Sequence, residues 1–230
     1  MKAIYLYYTL AAILLAACGK TGQEETVHFD DEIFRAYCIE HFDKNGDHEI
    51  SVSEAKDVKS ISIITADVAS MKGIEHFTNL ETLECCDNRL TQLDVTHLTK
   101  LKKLNCGDND LTQLDVTNNK ALKHLICCAN KLTKLDVRQN KALTLLYCDK
   151  NDLTQLDVSR NTQLVHLECD YNYLTSLNLM NNTKLEVLTC YDNPNLKDIW
   201  MRHDQQLRIL YTKNTKAIIH RMRHSSKVPF

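Results

Sequence analysis

Leucine returns every 21 residues along most of this chain. Leu80, Leu101, Leu122, Leu143, Leu164 and Leu185 keep that spacing, and after one inserted residue near Asn193-Pro194 the series closes at Leu207. The rest of the unit repeats too: L-x-x-L-x-C-x-x-N-x-L-T-x-L-D-V and then a polar five-residue loop, as in LKKLNCGDNDLTQLDVTNNKA from Leu101 to Ala121. Such a period outranks local propensity, because one unit has no partner for its apolar side chains and only stacking against the next unit buries them. Burying an aliphatic side chain is worth about 1.5–3 kcal/mol, so several per coil offset the entropy of ordering a chain with no other core. The segment from the second Leu to the residue after Cys is predicted as the strand of each coil, with alternate residues outward. Only five Gly and two Pro occur, so the turns are expected to rest on Asn and Asp.

This unit resembles the bacterial leucine-rich repeats of the internalin-like type, in the 21-residue form in which Cys replaces one inward Leu. The resemblance covers residues 80–211. An imperfect unit upstream, carrying Val58, Ile61, Ile63, Val68, Met71, Ile74 and Phe77, resembles the N-terminal half-repeat of that family, giving about seven coils. The resemblance implies an α/β-type solenoid: a right-handed leucine-rich-repeat stack with parallel strands on its concave face, little helix and a small helical cap at the N-terminus. The expected divisions are a leader at 1–17, a polar tether at 18–29, the cap at 30–57, the half-repeat at 58–79, the repeats at 80–206, and a last coil with a basic tail at 207–230.

Three columns of identical residues follow from the period. Cys85, Cys106, Cys127, Cys148, Cys169 and Cys190 share one position, which places neighbours one strand spacing apart, about 4.8 Å. Parallel Cβ vectors at that spacing exceed the roughly 3.5–4.5 Å of a disulfide, and a straight column cannot surround a metal tetrahedrally. An inert ladder of reduced thiols is expected. Cys86 and Cys128 point outward two coils apart, and Cys38 has no partner visible in the sequence. Asn88, Asn109, Asn130, Asn151, Asn172 and Asn193 stand where the chain leaves the strand, where an amide can pair with turn backbone. Asp94, Asp115, Asp136 and Asp157 are expected outward, screened by Lys120, Lys134, Arg138 and Lys141. Calcium held by those stacked carboxylates is the less favoured reading.

Ahead of the repeats, the segment from Asp43 to Glu54 (DKNGDHEISVSE) resembles a twelve-residue EF-hand loop. That resemblance implies calcium bound by the side chains of Asp43, Asn45 and Asp47, the backbone carbonyl of Glu49, Ser51 directly or through water, and both carboxylate oxygens of Glu54. Residues 30–42 read as the entering helix, with Ile33, Phe34, Cys38 and Phe42 on one face. His48 stands where the family has Gly and would need a left-handed backbone at about 1–2 kcal/mol. A single loop without a long exiting helix points to structural calcium that stiffens the cap, and a metal-free turn capped by Asp and Asn is the alternative.

The outward strand positions vary from copy to copy while the inward ones stay fixed, so stacking does not dictate them. They include Thr82, Glu84, Cys86, Lys103, Asn105 and Gly107 in the first coils and Ile209, Tyr211 and Lys213 in the last. Between these lie the residues expected to contact a ligand: His124, Ile126, Leu145, Tyr147, His166, Glu168, Asp170, Val187 and Tyr191, with Tyr211 beyond them. Their apolar and aromatic stripe suits an interface, where Tyr is a frequent anchor. His124 and His166, two coils apart with Leu145 between, are too distant to share a metal. The basic tail, with Arg208, Lys213, Lys216, Arg221, Arg223 and Lys227, reads as a polar cap for the last coil or as a contact for an anionic surface.

The first residues form a targeting signal. Lys2 precedes an apolar run from Ala3 to Ala17 that is too short to span a bilayer but suits a secretory leader. Leu15-Ala16-Ala17-Cys18-Gly19 resembles the lipobox of bacterial lipoproteins, which implies cleavage before Cys18 and lipid on its thiol, with acyl chains as the membrane attachment. The formal charge of −2 argues against nucleic acid as a partner. No phosphate loop, nucleophile elbow or zinc signature is present in the sequence, so no enzymatic activity is expected. The reading is a monomeric, non-catalytic envelope lipoprotein, at the outer membrane or cell surface, that binds a protein or glycan through its strand face. A scaffold or spacer that contacts partners through its ends is the alternative.

Overall fold

The computed structural model describes residues 24–223, and within them the 21-residue period becomes one rung of sheet per unit. The described residues open with helix α1 (Glu32–Phe42), helix α2 (Val52–Asp57), strand β1 (Ser60–Ser62) and a 3-10 turn (Ile74–His76). The repeats then give β2 (Thr82–Glu84), β3 (Lys103–Asn105), β4 (His124–Ile126), β5 (Leu145–Tyr147), β6 (His166–Glu168), β7 (Ser176–Asn178), β8 (Val187–Thr189), β9 (Asp198–Arg202), β10 (Ile209–Tyr211) and β11 (Ile218–Met222). An eight-stranded parallel sheet runs β1-β2-β3-β4-β5-β6-β8-β10, and a second sheet runs β11-β9-β7. The half-repeat thus contributes a rung of its own, and the main sheet has eight rungs where about seven coils are expected from the sequence. Strands β2 to β6 and β8 each span three residues and end before the Cys, shorter than expected, because the backbone turns to positive φ two residues after it, at Asp87, Asp108, Ala129, Lys150, Tyr171 and Asp192.

Packing follows the columns. The central leucines pair in exact register, Leu83 with Leu104, Leu104 with Leu125, Leu125 with Leu146, Leu146 with Leu167, and Leu167 with Leu188. All are fully buried, as are the six ladder cysteines. The cysteines are free thiols whose ionisation burial pushes up, to about 12 for Cys106 and Cys190. The asparagines at the strand exits work as expected: Asn109 Nδ2 donates to the carbonyls of Cys85, Cys106 and Gly107 at 3.0–3.2 Å, and its Oδ1 accepts from Leu90 N at 2.9 Å.

A second asparagine ladder runs through the polar loops. Asn119, Asn140, Asn161 and Asn182 are fully buried, and each Nδ2 reaches back to two carbonyls of the preceding coil, as Asn140 does to Val116 and Asn119 at 2.9 Å. Their Oδ1 atoms have no partner among the described residues.

The N-terminal cap closes the first rung. Asp31 caps α1 by accepting from Ile33 N and Phe34 N through one oxygen, and its other oxygen accepts from Ala69 N of the first coil at 2.8 Å. Burial opposes the ionised carboxyl, yet these backbone N–H groups hold its pKa below the usual range. Phe34 packs edge-on against Phe29 at 5.3 Å and beside Phe77. Gly73 has φ 104°, and a Cβ there would lie 2.8 Å from the His28 carbonyl oxygen, so a side chain cannot be accommodated where the cap meets the coil. Ile33, expected on the buried face of α1, is 45% exposed. Phe34 and Cys38 carry that contact instead.

Candidate functional site

Strand register assembles the outward residues into straight rows. One runs Thr82, Lys103, His124, Leu145, His166, Val187 and Ile209, and the next Glu84, Asn105, Ile126, Tyr147, Glu168, Thr189 and Tyr211. The third, at the position just beyond the ladder cysteines, contains Cys128, Asp149, Asp170 and Tyr191. The structure therefore brings His124, Ile126, Leu145, Tyr147, His166, Glu168, Asp170, Tyr191 and Tyr211 onto one face, with Leu145 between the two histidines. Two of the expected contact residues are corrected. Val187 is only 9% exposed, closed in between His166 and Ile209 along its row. Asp170 is 5% exposed, its carboxylate held by Thr189 Oγ1 at 2.5 Å and by Tyr191 N at 2.9 Å. Tyr211 sits on the terminal rung and is 60% exposed.

The chemistry of this face changes along its length. Glu84 at the N-terminal end is neutralised by Lys103 Nζ at 2.5 Å and accepts from Ser62 Oγ. Toward the C-terminal end Asp149, Glu168 and Asp170 crowd together, and among the described residues none of the three makes a salt bridge. Burial raises all three pKa values. For Asp170 the value reaches about 6, because burial together with the charges of Asp149 and Glu168 outweighs its bonds to Thr189 and Tyr191. Asp149 is raised by burial and by Asp108 against the pull of Lys150, and Glu168 by burial and Asp149 against the Tyr147 hydroxyl and His166. Tyr147, its own ionisation pushed up by burial and by Glu168, borders this group on one side. Tyr171 and Tyr191 border it on the other as an edge-to-face pair with centroids 5.1 Å apart. Glu168 and Asp170 were expected from the sequence as separate contacts and Asp149 was not; the signal for the group was an Asp or Glu at neighbouring positions of consecutive units, with no Lys or Arg in those rows before Lys213 of the last coil.

A hollow lies off this face. A trough of about 760 Å³ follows the loops after the strands, lined by Gln92, Thr96, Thr112, Gln113, Thr117 and the aspartates Asp94, Asp115 and Asp136. Its carboxylates are spent on the turns: Asp94 accepts from Thr96 N and Oγ1, Asp115 from Thr117 N and Oγ1, and Asp136 pairs with Arg138. The trough is the regular gap between coils, open and polar. It offers none of the converging apolar and polar groups that fix a ligand.

In the loop from Asp43 to Glu54, His48 at φ 64° and Gly46 at φ 76° take the left-handed conformations that let the chain curl. The side-chain oxygens face the loop's own backbone. Asp43 accepts from Gly46 N and His48 N, Asn45 from Asp47 N, and Asp47 from Glu49 N. Glu54 accepts from Ser51 N and Oγ and from Lys44 N, forming a capping box for α2. The Glu49 side chain pairs with Arg35. Among the described residues no three His, Cys, Asp or Glu side chains converge as on a metal ion. Cys18, the expected lipid site, lies outside the described residues.

No protein-family model and no curated protein matches the chain. Solved structures do. Internalin C2 from Listeria monocytogenes superposes with a TM-score of 0.67 at 21% identity, covering 87% of this chain and 100% of its own. A leucine-rich-repeat protein of Leptospira interrogans gives 0.60 at 21% identity over 74% of this chain and 53% of its own. The leucine-rich-repeat domain of APL1B gives 0.55 at 16% identity over 73% of this chain and 58% of its own. These likenesses show the fold: a leucine-rich-repeat solenoid of parallel strands with little helix.

Proposed function

We propose that this solenoid is a non-catalytic binding module that takes a protein, or a glycan, on the open face of its eight-stranded sheet. One observation carries the reading: the rows that face outward change identity from rung to rung while the leucine and cysteine columns behind them do not. The stack alone imposes no such variation, and the rows it leaves free gather aromatic and acidic groups over β5, β6 and β8. A peptide library panned against the whole chain tests this. Selected ligands are expected to lose affinity at least tenfold on the double substitution Tyr147→Ala and Tyr191→Ala. Ligands indifferent to that change but lost on Ile218→Lys would favour the second reading, a scaffold gripping through its end. That alternative has its own support, since the inward Leu210 of the last rung is 36% exposed with Ile209 and Tyr211 exposed on either side of it, and Ile218 is exposed on the end strand of the second sheet.

The envelope setting belongs to the same proposal. The leader and Cys18 support lipid attachment, and no helix among the described residues is long and apolar enough to cross a membrane. Metabolic labelling with an alkyne fatty acid should mark the chain in a bacterial host and fail on Cys18→Ala.

Structural calcium in the cap is also part of it. The all-oxygen donor set of Asp43, Asn45, Asp47, Glu49, Ser51 and Glu54 fits a hard cation, and the two left-handed residues already allow the loop its curl. When bound, the ion would exchange the loop's internal hydrogen bonds for a link between the end of α1 and the start of α2. Millimolar calcium should raise the melting temperature, with the gain lost on Asp43→Ala. An unchanged melting curve leaves the loop as the metal-free turn.

A further inference from the structure

We propose that the strand face is built for an extended protein segment bearing arginine, whose guanidinium enters between Tyr147 and the Tyr171–Tyr191 pair onto the carboxylates of Asp149 and Glu168, with the covered Asp170 adding its charge from behind them. This rests on the strand-face reading and names the chemistry of the partner.

The argument begins with charge. Carboxylates elsewhere on the described surface are commonly met by a cation, as Glu81 is by Lys102, Glu84 by Lys103, Asp110 by Lys131, Asp136 by Arg138 and Glu186 by Arg208, or left open to solvent, as Asp108 and Asp152 are. The three acids of β5, β6 and the turns after them are neither. They lie on adjacent rungs, part-buried, repelling one another, with Asp170 almost wholly covered. Partly buried charge without a counter-charge is unfavourable in the free protein and favours whatever neutralises it.

The aromatic groups select the kind of cation. Tyr147 and Glu168 are paired across β5 and β6, and Tyr191 stands one rung beyond Asp170, its ring edge-to-face with Tyr171. A planar guanidinium can lie against a tyrosine face while its N–H fork meets a carboxylate, whereas an ammonium is a compact, strongly hydrated point charge. A small inorganic cation is the poorer occupant, because no three acidic, His or Cys side chains among the described residues converge on one point. The flanking outward residues, Leu145 and Ile126 on one side and Ile209 and Tyr211 on the other, supply apolar contacts for the segment on either side of the arginine.

Fluorescence anisotropy with the whole chain tests this, using labelled peptides of alternating glycine with arginine, lysine or glutamate at physiological salt. The arginine peptide should bind, the lysine peptide more weakly, and the glutamate peptide not at all. The triple variant Asp149→Asn, Glu168→Gln, Asp170→Asn should weaken the arginine peptide at least tenfold. Glu84→Gln, at the neutralised end of the same face, should change it less than twofold. Melting curves establish that the triple variant is folded, and Glu168→Gln alone should show a severalfold loss in the same direction. No binding of the arginine peptide, or affinity kept within twofold by the triple variant, overturns the inference. Ligands selected from a library that lack arginine yet depend on Tyr147 and Tyr191 would also overturn it while leaving the strand face as the binding surface. Ligands that depend on neither group would remove both.

Discussion

Asp170 holds a carboxylate on two good hydrogen bonds in a place where its charge is unwelcome. Its folded pKa of about 6 exceeds the ordinary 3.8, so the folded chain takes up the proton before the unfolded one does. The resulting destabilisation is absent below about pH 4, grows between pH 4 and 6, and is full above 6. Asn at this position can accept from Tyr191 N and donate to Thr189, so Asp170→Asn should stabilise at pH 7.5, on the order of 1 kcal/mol after solvent screening. The gain should vanish near pH 4, as denaturant midpoints at the two pH values would show. Asp149 and Glu168 face the same carboxylate, and removing its charge also eases their own ionisation, so the difference between the two proteins reads residue 170 together with its coupling to these acids. Alternation along a strand placed Asp170 and Val187 outward in the sequence reading. It could not tell that they would be covered, because exposure depends on the size of the neighbours one rung away. The second asparagine ladder recurs as a letter in the sequence, but nothing in a polar loop signals that its amides are buried. Asn140→Ala removes two amide donors from buried carbonyls and should cost about 2–4 kcal/mol, against little effect from Lys141→Ala beside it.

Among the elements, the N-terminal cap shows the strongest dependence on single backbone conformations. His48→Gly places the favoured residue at a left-handed position and should stabilise the cap by about 1 kcal/mol. Gly73→Ala should do the opposite by more, since φ 104° and the His28 carbonyl both oppose a side chain. Hydrogen exchange of the α1 amides would register both changes before the global melting point does. The first helix was legible in the sequence, read over 30–42 and found at Glu32–Phe42; its short successor was not expected, although Ser51 and Glu54 stand at the spacing of the capping box that starts it. The second sheet was not legible. It forms from β7, β9 and β11, where the recurrent L-D-V gives way to SLN, DIWMR and IIHRM, and a template built on the regular coils has no place for it.

At the scale of the molecule, the account rests on a one-dimensional stack. Each coil is held by the coils on either side through the leucine, cysteine and asparagine columns, and the strand face is the surface that this arrangement leaves free to vary. That much was readable from spacing alone, because identical residues 21 apart must occupy equivalent places once the units stack. A solenoid of this kind tolerates loss of a whole unit and not of a fraction of one. The most direct measurement is to delete Leu122–Ala142, which joins Ala121 to Leu143 in register, and to compare it with deletion of residues 122–131. The full-coil deletion should keep the circular dichroism of the parent and melt cooperatively at a lower temperature, while the partial deletion should not fold. Collapse of the full-coil deletion, or equal tolerance of both, would contradict the stack and with it the face on which binding is proposed.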